Sequence, residues 1–104
     1  MTNTELLKII AKAAREGATS LDLSGEGIKT IPLEIANLTN LTTLYLNNNQ
    51  ITHIPETIGK LFSLTVLKLN GNRITEIPEA LTKPTSEGIA KLTRLKVHLD
   101  NPMP

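Results

Sequence analysis

Side chains suited to metal binding or catalysis are few in this chain of 104 residues, which contains no cysteine. Its two histidines, His53 and His98, lie far apart in the sequence, and no cluster of carboxylates accompanies either of them. Because a metal centre needs several ligands at suitable spacing, we expect no metal site. The serines lack a partner base in any recognisable arrangement, and no glycine-rich phosphate-binding motif is present. The sequence therefore predicts no catalytic residue and no cofactor, and we expect that the protein is not an enzyme.

Two asparagines, Asn49 and Asn72, occupy the same place in a sequence repeat of 23 residues. Residues 41–55 and 64–78 agree at every leucine and isoleucine, and a weaker copy lies one period earlier. A fixed period in the twenties with the pattern L-x-x-L-x-L-x-x-N-x-L is typical of a solenoid. On these residues the chain resembles leucine-rich repeat proteins, and the resemblance covers residues 18 to about 83.

The resemblance implies an α/β leucine-rich repeat solenoid, with a short parallel sheet on the concave side and short helical turns on the convex side. It also implies that Asn49 and Asn72 form a ladder of hydrogen bonds between coils, a role that suits a short amide able to donate and accept. Glu26 stands at the corresponding place in the first repeat, so we expect the ladder to begin in the second. Asn47 is predicted to face solvent.

The predicted concave face consists of the residues that alternate with inward-facing leucines in each short strand. These outward positions are the candidate partner-binding residues: Asp22, Thr43, Tyr45, Asn47, Val66, Lys68, Asn70 and Lys96. One column across successive strands is expected to consist of Asp22, Tyr45, Lys68 and Lys96. Tyr45 is the candidate anchor, since tyrosine supplies a large contact area at low entropic cost. The alternative is that this face is solvated and has no partner.

Residues 4–16 are predicted to form an amphipathic helix that caps the N-terminal end of the solenoid. Its apolar residues recur at helical spacing, at Leu6, Ile9, Ile10, Ala13 and Ala14. Thr2 and Glu5 fit a capping box, and Gly17 fits the end of the helix. Because the end of a solenoid exposes apolar side chains, we expect this helix to cover them. A helix on a membrane surface is the alternative, although the segment has no tryptophan or phenylalanine.

Pro32, Pro55 and Pro78 are each predicted to open a short convex segment of about one helical turn. The repeat becomes irregular after Pro78, and apolar residues then alternate with polar ones over residues 95–99. We expect a last edge strand there, and the alternative is a capping helix over residues 87–99. The predicted single domain, residues 1–104, consists of the capping helix (1–17), three repeats (18–40, 41–63 and 64–86) and an irregular C-terminal repeat or cap (87–104).

The composition argues against several classes of partner. The net charge is +1 and no run of like charges forms a basic arm, so we expect no binding to nucleic acid. No segment approaches the roughly 20 apolar residues of a membrane span, so we expect no membrane partner. The first residues do not resemble a signal peptide, and together with the absence of cysteine this favours a cytoplasmic location.

The predicted function is binding of another protein through the concave face, and it follows from the resemblance, because a fold does not dictate a function. The helix followed by 23-residue repeats also resembles the repeat region of bacterial, especially cyanobacterial, Roco proteins, in which leucine-rich repeats precede a GTPase domain. One alternative is therefore a regulatory repeat fragment of a larger GTPase. The other is a self-assembling element, whose copies associate weakly through the C-terminal edge strand.

Overall fold

The computed structural model describes residues 1–76 and the strand Lys96–His98. Its elements are the helix α1 (Asn3–Arg15), the strands β1 (Ser20–Asp22), β2 (Thr43–Tyr45), β3 (Val66–Lys68) and β4 (Lys96–His98), and two 3-10 helices, η1 (Leu33–Asn37) and η2 (Glu56–Lys60). The strands form one parallel sheet in the order β1-β2-β3-β4. Each coil thus adds one strand beside the previous one, as the sequence repeat predicts.

The repeat of 23 residues sets the register of the first three strands. Leu44 of β2 pairs with Leu21 on one side and with Leu67 on the other. Leu44 and Leu67 are fully buried, whereas Leu21, in the edge strand, is half-buried against the core. Burying one leucine side chain stabilises a protein by about 1.5–3 kcal/mol. A slip by one residue would turn these leucines toward solvent, so the burial of leucine fixes the register.

The C-terminal segment returns to the sheet as a strand. Lys96–His98 forms β4 and pairs with β3, so the predicted last strand is present at these three residues and the alternative of a helix through them is wrong. The rest of the irregular repeat, including the convex segment expected after Pro78, lies outside the described residues.

The register of β4 differs from the one predicted for the concave column. Lys96 pairs with Val66, and His98 pairs with Lys68. His98, rather than Lys96, therefore continues the column that passes through Lys68. The physical reason is the length of the third coil, since partners in β3 and β4 are 30 positions apart and partners in β2 and β3 are 23 apart. The irregular C-terminal repeat thus moves the last strand by two positions relative to the sequence-based alignment.

Each proline of the first two convex segments lies directly before a 3-10 helix. Pro32 precedes η1 and Pro55 precedes η2, and both N-cap residues have extended backbone, with φ of −71° and −69°. The pyrrolidine ring fixes φ near these values, so it favours the point where the helix begins. Ile35 in η1 and Ile58 in η2 are buried. The predicted helical turns that face the core are confirmed in these two coils.

The N-terminal helix is present as α1, with the capping predicted for it. The hydroxyl Oγ1 of Thr2 accepts a hydrogen bond from the backbone N–H of Glu5 (3.1 Å), and Oε1 of Glu5 accepts one from the N–H of Thr2 (3.2 Å). Two backbone donors that the helix itself cannot use are thereby satisfied. Gly17, with φ of +62°, follows the last turn and ends the helix.

One face of α1 packs on the first coil. Leu6, Ile10 and Ala13 are buried, and Ile9 and Ala14 are partly buried against the same core. These five residues are the apolar face predicted from helical spacing. The helix therefore covers apolar side chains at the N-terminal end of the stack. In the described part of the chain, no helix has the length and apolar character required to cross a lipid bilayer.

Candidate protein-binding surface

The concave face consists of three columns of residues that cross the parallel strands. The columns are Ser20, Thr43, Val66 and Lys96; Asp22, Tyr45, Lys68 and His98; and, just beyond the strands, Ser24, Asn47 and Asn70. The outward side chains of β2 and β3 are half-buried, and those of β1 are exposed. Half-buried side chains have already lost part of their rotational freedom, so a partner would order them at reduced entropic cost.

The column through Tyr45 changes from acidic to basic along the stack. Asp22 and Lys68 pair with Tyr45 from opposite sides. Oδ1 of Asp22 accepts a hydrogen bond from the backbone N–H of Ser24 (3.0 Å). The backbone hydrogen bond, with the side-chain contact of Ser24, holds the pKa of the Asp22 carboxyl below its ordinary value. This carboxylate is therefore charged at neutral pH, and the aromatic ring lies between a negative and a positive position.

Asn47 does not simply face solvent, so that sequence-based expectation is wrong. The residue is half-buried, and its Oδ1 accepts a hydrogen bond from the backbone N–H of Asn70 (2.9 Å). Its own backbone N–H donates to Oγ of Ser24 (3.2 Å). Stacking places equivalent positions of neighbouring coils within hydrogen-bonding distance, which the alternation within one strand does not reveal. Asn47 is thus part of the scaffold as well as of the concave face.

Asn49 connects the first coil to the second through its side-chain amide. Its Oδ1 accepts hydrogen bonds from the N–H of Glu26 (3.0 Å) and Ile28 (2.9 Å). Its Nδ2 donates to the carbonyls of Leu23 (3.0 Å) and Leu46 (3.1 Å). A buried polar group without a partner costs about 1–3 kcal/mol. Asn49, which is 7% exposed, therefore satisfies backbone groups of a coil that has glutamate at its own equivalent position.

Asn72 makes the equivalent connection between the second coil and the third. Its Oδ1 accepts a hydrogen bond from the N–H of Ile51 (3.0 Å), and its Nδ2 donates to the carbonyls of Leu46 (2.8 Å) and Leu69 (3.0 Å). The side chain is fully buried. Asn49 and Asn72 each bond to their own coil and to the coil before it. These hydrogen bonds fix the turns that follow the strands. Rigid turns hold the side chains of the neighbouring concave face in the positions needed for binding.

A second series of side-chain hydrogen bonds borders the sheet and was not predicted. Oγ1 of Thr42 donates to the carbonyl of Thr19 (2.9 Å), and Oγ1 of Thr65 donates to that of Thr42 (3.1 Å). On the other side of the turn, Oγ1 of Thr75 donates to the carbonyl of Thr52 (3.2 Å). The recurrence of threonine every 23 residues was the available signal. Threonine is common in strands for other reasons, so its type alone did not reveal this role.

The structure does not place His53 in a catalytic or metal-binding arrangement among the described residues. Nε2 of His53 lies 3.9 Å from Oε2 of Glu76, and Oγ1 of Thr52 lies 2.8 Å from Nδ1 of His53. His98 takes the register position beside Lys68. No group of three His, Cys, Asp or Glu residues within residues 1–76 is arranged to hold a metal ion.

Comparison with protein families agrees with this architecture. The family profile described as Leucine rich repeat matches residues 16–74, more than half of the chain and the part that contains β1, β2 and β3. A solved leucine-rich repeat protein of Leptospira interrogans aligns with 88% of this chain at 23% identity and a TM-score of 0.38, and the chain spans 34% of that protein's length. Comparison with curated proteins gives no match. On the profile match and the coils it covers, the chain belongs to the leucine-rich repeat family.

Proposed function

We propose that this protein binds another protein through its concave face. Leucine-rich repeat domains generally mediate protein–protein interactions and are typically not enzymes. The observation that carries the proposal is the register of Asp22, Tyr45 and Lys68, which puts an aromatic residue between opposite charges in the middle of the sheet. Aromatic residues that a partner can fully cover are frequent centres of binding energy.

The same column indicates the chemistry of the partner. Neighbouring strands are about 4.8 Å apart, so Asp22 and Lys68 flank Tyr45 within the area of one small contact patch. A matching surface places a basic group against Asp22 and an acidic group against Lys68. Charge pairs at the edge of such a patch mainly affect the association rate, whereas the buried aromatic ring mainly affects dissociation. We therefore expect Tyr45 to dominate affinity and Lys68 to dominate the dependence on salt.

The test compares three baits in affinity capture from a lysate of the source organism, followed by calorimetry with the recovered protein. The baits are the unmodified protein, Tyr45→Ala on the concave face and Lys60→Glu on the convex face. We expect Tyr45→Ala to weaken binding by about 2 kcal/mol, which is typical of a central aromatic residue. Lys60→Glu should bind as the unmodified protein does. A partner that tolerates Tyr45→Ala but is lost with Lys60→Glu would place the binding surface on the convex side.

Three narrower proposals rest on the sequence. The resemblance to Roco proteins supports a regulatory role beside a GTPase domain, and reading the source gene beyond Pro104 tests it directly. Association of copies through the C-terminal edge would appear as a molecular mass that rises with concentration in sedimentation experiments. The proposed cytoplasmic location follows from the lack of cysteine, and fractionation of source cells tests it.

A further inference from the structure

A groove runs along the turns that follow the strands, and no residue of the concave columns is among the described residues that line it. Its larger part has a volume of about 720 Å³ and lies against the first three coils. A part of about 460 Å³ continues toward the start of α1. Both parts are lined by Lys29 and Thr30, so they adjoin each other at these two residues. We name the two parts together the turn groove, and its main lining residues are Lys29, Thr30, Gln50, Thr52, Gly71 and Arg73.

The charged side chains that line the turn groove are both basic. Lys29 and Arg73 are exposed, and no aspartate or glutamate is among the described residues that line either part. Neither cation is within ion-pair distance of a carboxylate in the described part of the chain. The exposed carboxylate of Glu76, close in sequence to Arg73, lies instead beside His53 at 3.9 Å. The larger part of the groove therefore offers the positive charges of Lys29 and Arg73 to a partner. The N-terminal ammonium of Met1 lies at the end near α1, where it donates to the carbonyl of Glu26 (3.2 Å).

The coils determine how far apart these charges lie. Lys29 belongs to the first coil and Arg73 to the third, and stacked parallel strands repeat at about 4.8 Å, so the two positions are about 10 Å apart along the stack. An extended peptide covers the same distance in about three residues. Gln50, in the coil between them, presents an exposed amide that can both donate and accept hydrogen bonds. Its backbone N–H already donates to the carbonyl of Ile28 (2.8 Å), which fixes its place in the turn.

We propose that the turn groove binds an extended acidic peptide segment of another protein. Two carboxylates about three residues apart face Lys29 and Arg73, and the side-chain amide of Gln50 meets the peptide backbone between them. This surface uses none of the residues of the column through Tyr45. The chain therefore has two separate interaction surfaces, one with an aromatic centre and one that recognises negative charge.

Fluorescence anisotropy with labelled hexaglutamate at low salt tests this proposal, with hexaglutamine as the neutral control peptide. We expect hexaglutamate to bind and the double variant Lys29→Glu, Arg73→Glu to weaken binding by more than about tenfold, because like charges then face the peptide. The variants Lys29→Gln and Arg73→Gln should each cause a smaller loss. The double variant Lys8→Glu, Lys60→Glu makes the same change in net charge at two exposed positions outside the groove, so it is the matched control and should change affinity less than about twofold. Melting curves show whether each variant is folded.

Three results would overturn the proposal. The first is an absence of hexaglutamate binding to the folded, unmodified protein. The second is an equal loss with the double variant Lys8→Glu, Lys60→Glu, which would mean that the peptide responds to net charge and not to the groove. The third is tighter binding of a single-stranded oligonucleotide with the same dependence on Lys29 and Arg73, which would assign the groove to nucleic acid. Tyr45→Ala should leave hexaglutamate binding unchanged, so the outcome for this groove and the outcome for the concave face are independent.

Discussion

The side chain of Asn48 occupies the space into which a Cβ atom at Gly71, one coil further on, would project. Both residues lie at the same place in their repeats, and both have left-handed backbone, with φ of +58° at Asn48 and +77° at Gly71. Besides the amide oxygen, the Cγ and Cα atoms of Asn48 lie 3.2 Å and 3.3 Å from that Cβ position. The turn of the second coil therefore requires that the next coil have no side chain at this point.

We expect Gly71→Ala to destabilise the protein more than Gly25→Ala does. Gly25 has a similar φ of +69° but open space around its Cβ position, so its replacement should cost only the left-handed strain of about 1–2 kcal/mol. Gly71→Ala carries that strain and also displaces Asn48, which adds about 1 kcal/mol of poor packing. Urea unfolding of both variants measures the difference. The double variant Asn48→Gly, Gly71→Ala should recover the added part, and no recovery would contradict the contact as the cause.

Asn49→Ala should be far more destabilising than Asn47→Ala. Asn49→Ala leaves several buried backbone groups of the first and second coils without partners, at a total cost of about 3 kcal/mol or more. Asn47→Ala removes one partly exposed hydrogen bond to the N–H of Asn70 and should cost about 1 kcal/mol. Chemical denaturation at one pH gives both free energies of unfolding. Equal losses for the two variants would mean that the side-chain ladder does not bear on stability as described.

Thr57→Val should leave the protein as stable as before or make it more stable. Oγ1 of Thr57, in η2, is buried and has no hydrogen-bond partner among the described residues. Replacing the hydroxyl by a methyl group of similar shape removes an unsatisfied polar atom, a gain of up to about 1 kcal/mol. Thr57→Ser keeps the hydroxyl, loses the methyl group and should be less stable than Thr57→Val. A lower melting temperature for Thr57→Val than for Thr57→Ser would show that the hydroxyl has a stabilising role.

The capping box at the start of α1 should make stability depend on pH in the acidic range. The hydrogen bond from the backbone N–H of Thr2 lowers the pKa of the Glu5 carboxyl below its ordinary value of 4.5. A lowered pKa in the folded state means that the stabilisation is present above the ordinary pKa and disappears as the pH falls through the folded value. Glu5→Gln keeps the cap but does not titrate. Its melting temperature should fall less between about pH 7 and about pH 3 than that of the unmodified protein.

A convex-side glutamate provides the control for that measurement. Glu34→Gln, in η1, removes one carboxylate from a position outside the cap. It should retain most of the pH dependence of the unmodified protein. A loss of pH dependence as large as that of Glu5→Gln would mean that general charge, and not the capping hydrogen bond, is responsible.

Weakening the contact between α1 and the first coil should destabilise the whole stack. Ile10 is 1% exposed, and Ile10→Ala should cost about 2–5 kcal/mol because it leaves a cavity at the end of the core. Lys8→Ala, on the exposed side of the same helix, should change stability by less than about 0.5 kcal/mol. Removing residues 1–16 should unfold or aggregate the protein. A truncated chain that stays monomeric with the same melting temperature would show that α1 does not stabilise the coils.

The sequence predicted the coils well because the residue pattern that produces them is local and periodic. The spacing of leucines placed Leu44 and Leu67 inside, and Thr2 with Glu5 marked the start of α1. It failed at Asn47 because the partner of that side chain is a backbone group of the next coil, and a pattern within one strand carries no information about it. The sequence misplaced Lys96 by two positions because the 23-residue period does not hold in the irregular third coil and so does not give the length of that coil.

The turn groove could not be predicted for a related reason. Gln50 and Arg73 occupy the same position of successive repeats, but Lys29 lies two positions further along its own repeat, so no motif connects the three residues. They meet only because each coil adds a fixed rise and brings successive turns side by side. Surfaces of this kind depend on the stacking geometry, whereas the buried positions depend on residue type.

The direction in which the asparagines bond also has a consequence for biosynthesis. A ribosome makes the chain from its N-terminus, so Asn49 is added 23 residues after Glu26. The side chain of Asn49 must then accept a hydrogen bond from the backbone N–H of Glu26. Until then the backbone N–H groups of Glu26 and Ile28 lack this acceptor. Asn72 stands in the same relation to Ile51. Each coil of the nascent chain therefore matures only when its successor has emerged, and a pause in translation before Asn49 leaves the ribosome would prolong the exposure of an incomplete apolar core.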